Sequence, residues 1–206
     1  MNKNIRNIRS NILNLTFKAK SSHIGSCLSI VEILVALYFG VLKKNDRFIL
    51  SKGHAALALY STLFEKKIIP KKIFNSFGAN KTLLMNHVSN KVNGVEFSTG
   101  SLGHGLPMAL GMALSAKIKG LSFHNFAICG DGECNEGSIW EAIMCANHYK
   151  LDNLTIIIDR NNLQQTGSND EIMSLGELSK KFLSFGCKTN NIDGHNLNEL
   201  FSCFSE

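Results

Sequence analysis

Two short polar signatures, each following a β-rich run, limit the architecture of this chain more than anything else in it. Residues 123–129 lead into Gly130-Asp131-Gly132-Glu133, and residues 154–158 lead into Asp159-Arg160-Asn161-Asn162-Leu163. Between them, from Gly137 onward, Trp140, Ile143 and Met144 recur at helical spacing. Strand, helix and returning strand form one βαβ unit, and the thirty positions from Asp131 to Asn161 are what such a unit requires. A right-handed crossover sets Asp131 and Asn161 at the same edge of a parallel sheet. Ligands of such sheets bind outside the carboxyl ends of the strands, so these two residues are the first candidates for a site.

A carboxylate, a side-chain amide oxygen and nearby backbone carbonyls are hard oxygen donors. They suit Mg²⁺, or Ca²⁺ in its place, with phosphate oxygens of a ligand completing the shell. Gly-Asp-Gly by itself is also an ordinary turn; its pairing with Asn161 across one helix is what gives it chemical meaning. Other phosphate-binding designs are absent. No Gly-x-x-x-x-Gly-Lys-Ser/Thr occurs, and Gly103-His104-Gly105 lacks the third glycine of a dinucleotide fingerprint. The net charge of +6 suits an anionic ligand, although solubility alone accounts for it as well.

The remaining chain reads as one α/β domain over 1–206, with a parallel sheet flanked by helices on both faces. Helix-period segments run about 4–20, 29–40, 53–66, 104–119, 137–149 and 176–185, and β-rich runs lie at 123–129, 153–158 and roughly 187–192. An apolar fraction of 44% excludes a disordered or fibrous chain, and no apolar run reaches membrane-spanning length. Glu32 is the first acid, which gives the N-terminal segment the charge of a transit peptide. Ile5, Ile8, Ile12 and Leu15 favour an amphipathic helix of the fold instead. Six cysteines without Cys-x-x-Cys or paired-histidine zinc spacing read as reduced thiols of a cytoplasmic protein. Neither nucleic acid nor membrane is expected as a partner.

At this level of detail the sequence resembles the transketolase family. GDGECNEGSIWEAIMCANHYKLDNLTIIIDRNNLQQTG carries a thiamine diphosphate signature. KSSHIGSCLS, DRFILSKGHAALALY, VNGVEFSTGSLGHGLPMALGMALSAK and NIDGHN follow the family in order over nearly the whole chain. The likeness is greatest to the separate N-terminal subunit of split transketolases. It implies a thiamine diphosphate-binding fold and transfer of a two-carbon ketol unit from a ketose phosphate to an aldose. Deoxyxylulose-phosphate synthase, dihydroxyacetone synthase and a non-catalytic cofactor-binding paralogue are the neighbouring readings.

Carried over by motif, the resemblance assigns the cation to Asp131, Asn161 and the carbonyl of Leu163. Thiamine diphosphate falls to those residues with Gly132, His54, Gly100 and Leu102. His23, His54 and His87 become substrate-channel histidines, and Glu136 an acid at an interface between copies. Imidazoles near neutral pH move protons and stabilise alkoxides, which that chemistry needs. His104 stands where many relatives carry glutamine, and its role stays open, while His124, His148 and His195 read as structural or surface residues. The family's Gly-His-Pro-Gly is Ser22-His23-Ile24-Gly25 here, which frees the backbone at His23. No segment resembles the pyrimidine-binding domain that completes such active sites. The expected partner is therefore a C-terminal transketolase subunit in an α2β2-type assembly acting on phosphorylated sugars. The chain also looks short at its end, lacking the last strand region of relatives.

Overall fold

The computed structural model describes residues 1–205. In chain order its helices and strands are α1 (Asn2–Ala19), α2 (Ile24–Ser29), α3 (Val31–Ala36), β1 (Arg47–Leu50), α4 (Ala56–Glu65) and α5 (Lys71–Phe74). These are followed by α6 (Gly105–Ile118), β2 (Asn125–Gly130), α7 (Gly137–His148), β3 (Leu154–Asp159), β4 (Leu163–Gln164) and β5 (Gly167–Ser168). The chain ends with α8 (Asn169–Met173), α9 (Leu178–Ser184) and α10 (Leu197–Phe204). They group into two compact units, one holding Met1–Lys43, Gly53–Gly100 and the chain from Ile192, the other Lys44–Lys52 and Ser101–Asn191.

The second unit is built on a parallel sheet in the order β1-β2-β3. Register pairs Leu50 with Ile128 and Gly130 with Asp159, so the three strands end close to one line. All six residues of central β2 are buried, which explains why its sequence shows no in–out alternation. Helix α6 packs on this sheet through Leu106, Ala109, Ala113 and Ala116, whose mostly small side chains let helix and strand approach closely. Ile139, Ala142 and Ile143 bury one face of α7. The Trp140 ring beside them lies against Phe182 and Phe185. Ser168 and Glu171 form a reciprocal capping box that starts α8.

In the first unit, α1 buries Ile8, Ile12 and Leu15 and packs on α4, so its apolar stripe belongs to the fold. Arg9 grips Glu32 through both carboxylate oxygens, and His195 Nδ1 meets the same carboxylate at 2.8 Å. Residues 29–40 do not form one helix. The path breaks at Ile30, and after α3 the helix widens into a π turn, Leu37–Val41. Gly40 sits in that turn, where a Cβ would collide with the Phe201 ring of α10.

The sheet differs from expectation at two places. Strand β1 has only four residues, too few to register as a period-two pattern, and its neighbour β2 begins far along the chain. Residues 187–192 form no strand; the chain there is irregular. Lys188, Asn190 and Asn191 disfavour a pleated conformation, and the sheet's described strands pair only with one another. Among the described residues no helix is long and apolar enough to cross a membrane.

Candidate functional site

Within the first unit three imidazoles come together. His23 stands just before α2 in a left-handed conformation (φ 68°), which histidine tolerates better than most side chains. Ile24 takes the first helical position, where proline is also accommodated, so α2 starts normally without it. His54 lies in the tight turn Gly53–Ala55 that leads into α4. The His23 ring centroid is 5.5 Å from that of His54 and 5.8 Å from that of His87. The Ser21 hydroxyl reaches Asn86 Oδ1 at 2.6 Å, tying the two histidine-bearing loops together.

His87 is also held from below. Tyr60, fully buried on α4, donates to the His87 carbonyl at 3.1 Å and accepts the Ser89 N–H at 3.2 Å. Burial pushes the Tyr60 phenol up to about 12, so it stays a donor at any working pH. Gly100 lies flat against His87, and a Cβ there would stand 3.0 Å from its ring. Burial, and secondarily the charge of His87, holds the His23 imidazole below its ordinary value. At neutral pH it is therefore a base rather than a cation, able to accept a proton.

Within the second unit, Asp131 stands just beyond β2 and is nearly fully buried. Its Oδ1 accepts the Gly132 N–H at 2.9 Å. Its Oδ2 accepts the Asn162 N–H and the Asn169 amide, each at 2.7 Å. Asp131 and the 161–163 segment thus meet at the strand ends. Asn161 Oδ1 accepts the Leu163 N–H at 3.0 Å and retains a second lone pair. Gln164 lies against Gly132, where a Cβ would stand 3.0 Å from its side chain.

These residues fit a hard cation bearing an anionic ligand. Two amide oxygens beside Asp131, Asn169 Oδ1 and Gln164 Oε1, are buried without a hydrogen-bond partner. Buried acceptors without a partner are few in folded proteins, and a bound water or ion is one way in which they are satisfied. Among the described residues no three His, Cys, Asp or Glu side chains converge as a metal site. A cation at Asp131 would therefore draw on amide and carbonyl oxygens and on oxygens supplied by its ligand, as Mg²⁺ commonly does.

Two positions beyond Asp131 lies a carboxylate that was not among the expected site residues. Glu133, 1% exposed, accepts the Ser51 hydroxyl at 2.5 Å, the Gly103 N–H at 2.8 Å and the Gly130 N–H at 3.1 Å. It ties the ends of β1 and β2 to the loop before α6. Gly103 is fixed again by the Ser138 hydroxyl, 2.6 Å from its carbonyl. His104, exposed, has Nδ1 2.9 Å from the Leu102 carbonyl, which makes Nδ1 the protonated nitrogen in that contact. Glu136 precedes α7 as an exposed residue that makes no side-chain cap. The one sequence signal for Glu133 is its place directly after Gly-Asp-Gly. For Tyr60 and Asn169 there was none, because their partners lie 27 and 38 positions away.

All six cysteines are free thiols. Burial, reinforced by the nearby Glu133 carboxylate, pushes Cys134 up to about 12 and Cys129 well up, so neither is a nucleophile at neutral pH.

Residues 1–206 match the family described as transketolase, thiamine diphosphate binding domain. One subunit of the apulose-4-phosphate transketolase of Phocaeicola vulgatus is 40% identical over 95% of this chain and 73% of its own length. The 6-deoxy-6-sulfo-D-fructose transketolase subunit SqwG of a Clostridium species is 39% identical over 89% of this chain and 70% of its own. Among solved structures, the transketolase of Campylobacter jejuni superposes with a TM-score of 0.90 at 26% identity, covering 98% of this chain. The match spans 34% of that enzyme's chain. On this footing the protein belongs to the transketolase family, as a representative of the family's N-terminal thiamine diphosphate-binding domain.

Proposed function

We propose that this chain is the cofactor-binding subunit of a two-chain transketolase that moves a two-carbon ketol unit from a ketose phosphate to an aldose. The observation that carries the reading is Asp131, a buried carboxylate held by three N–H donors beside two unpartnered amide oxygens. Asp131, Asn161 and the Leu163 carbonyl would hold Mg²⁺, and Gly132 with the cation would receive the diphosphate. The backbone at Gly100 and Leu102 would face the aminopyrimidine. When bound, thiamine diphosphate supplies a nucleophilic carbon and an electron sink.

The protein's own part is to orient and to move protons. His23, neutral at working pH, accepts a proton from a sugar hydroxyl, and His54 and His87 orient neighbouring oxygens. Glu136, exposed, serves an interface between copies. Two relatives named as transketolase subunits, for apulose-4-phosphate and for 6-deoxy-6-sulfo-D-fructose, support a partner chain and a ketose with an anionic tail. The partner would supply the pyrimidine-binding domain in a cytoplasmic α2β2-type assembly.

The chain co-purified with a pyrimidine-domain partner is assayed for ketol transfer with thiamine diphosphate and Mg²⁺. Cofactor-dependent transfer that EDTA stops, and that Asp131→Ala abolishes together with Mg²⁺-dependent cofactor binding, is the expected result. Transfer by the pair that is indifferent to both would overturn it, as would no transfer at all.

A further inference from the structure

We propose that Asn169 is a positioning residue for the cation site: it sets the carboxylate of Asp131 for metal binding, an inference that rests on the cofactor reading above. Asn169 is the first residue of α8 and only 6% exposed. Its Nδ2 donates to Asp131 Oδ2 at 2.7 Å. Its backbone N–H donates to the Asn162 carbonyl at 3.1 Å, closing the 162–169 loop onto its own start. The same carboxylate oxygen receives the Asn162 N–H, so side chain and loop reach Asp131 together.

The amide orientation is decided by chemistry. Turned the other way, Oδ1 would face a carboxylate oxygen at hydrogen-bond distance, acceptor against acceptor. In the orientation that donates to Asp131, Oδ1 is buried and has no partner among the described residues. A fold that needed only to fill this space would hold an apolar side chain there. Nor does α8 depend on Asn169 for its start, because Ser168 and Glu171 satisfy the cap between them. What remains for the Asn169 amide is to hold Asp131, and its Oδ1 stands as an acceptor for a hydrogen brought by water or ligand.

Hydrogen-bond partners behind a metal ligand typically change affinity by about 10–100-fold when removed. The test is calorimetric titration of Mg²⁺ into the chain co-purified with its pyrimidine-domain partner and excess thiamine diphosphate, together with the thermal midpoint of the cofactor-free chain. Asn169→Ala should weaken Mg²⁺ affinity by at least about tenfold. Ser168→Ala, which breaks the capping box and leaves the Asp131 contact in place, should lower the midpoint and leave the affinity unchanged. Equal affinity loss in both variants would assign the effect to folding of α8 and overturn the proposal. Wild-type affinity in Asn169→Ala overturns it as well, with the cofactor reading intact. Absence of Mg²⁺-dependent binding in the wild-type pair overturns the cofactor reading and this proposal with it.

Discussion

Glu133 Oε1 accepts the backbone N–H of Gly103 at 2.8 Å, joining the end of β2 to the loop that starts α6. The Ser51 hydroxyl and Gly130 N–H share that carboxylate, so one buried side chain satisfies three donors from three segments. Leaving buried donors unpaired costs on the order of 1–3 kcal/mol each, partly recovered by water entering the gap. Glu133→Ala should therefore cost about 3 kcal/mol in urea unfolding, and Glu133→Gln, which keeps an acceptor, about half as much. A cost for Glu133→Ala no larger than that of a surface substitution would remove Glu133 from this role.

Lys52 Nζ lies 2.5 Å from Asp159 Oδ2, both nearly fully buried, at the carboxyl ends of β1 and β3. Gly130 of the strand between them carries no side chain to obstruct the pair; the nearest atom to a Cβ there is Lys52 Cβ at 4.0 Å. Taking one partner from a buried ion pair typically costs about 3–5 kcal/mol, whereas an apolar pair of like volume is often neutral. Lys52→Met alone should be strongly destabilising, and Lys52→Met with Asp159→Leu should regain most of the loss. Simple additivity of the two substitutions would contradict this coupling.

His23 titrates below the ordinary histidine range because of burial first and the charge of His87 second. The folded chain therefore binds this proton less readily than the unfolded chain does. By linkage, its contribution to stability is present above pH 6.5 and is lost as pH falls from 6.5 toward the folded value. An NMR titration should place the His23 midpoint below 6.5, and His87→Gln should move it part of the way back. A midpoint unmoved by His87→Gln would exclude the second cause.

Gly103 has φ of +78°, and a Cβ there would lie 2.4 Å from Ser138 Oγ and 2.8 Å from Glu136 Cβ. The left-handed backbone alone costs an L side chain about 1–2 kcal/mol. Gly103→Ala should lose more than about 2 kcal/mol of stability once the contacts are included. Adding Ser138→Ala should rescue only part of it, since the backbone and Glu136 remain. Full rescue in thermal unfolding would show that the Ser138 contact alone fixes Gly103.

The βαβ unit around Gly-Asp-Gly was legible because its signals are local. An apolar run of strand length, two glycines, a helical stripe through Trp140 and Ile143 and a second apolar run follow one another without interruption. Strand β1 was not legible, since Arg47–Leu50 is short and pairs with residues 78 positions later. At 187–192 the β-branched Thr189 and Ile192 are outweighed by Lys188, Asn190 and Asn191, and no strand forms. The histidines could be named from their motifs, but their 5.5 and 5.8 Å spacings depend on loops that Ser21, Asn86 and Tyr60 hold in place.

Residue order was enough for the α/β class, the meeting of Asp131 with the 161–163 segment at the strand ends and the transketolase kinship, because each rests on about thirty consecutive positions or on motifs in series. The supports of those residues came only with the three-dimensional arrangement. Asn169 behind Asp131, Glu133 beneath Gly103, and Lys52 against Asp159 join positions 38, 30 and 107 apart. A buried polar group must find its partner in space, and no sequence period records which distant segment will supply it.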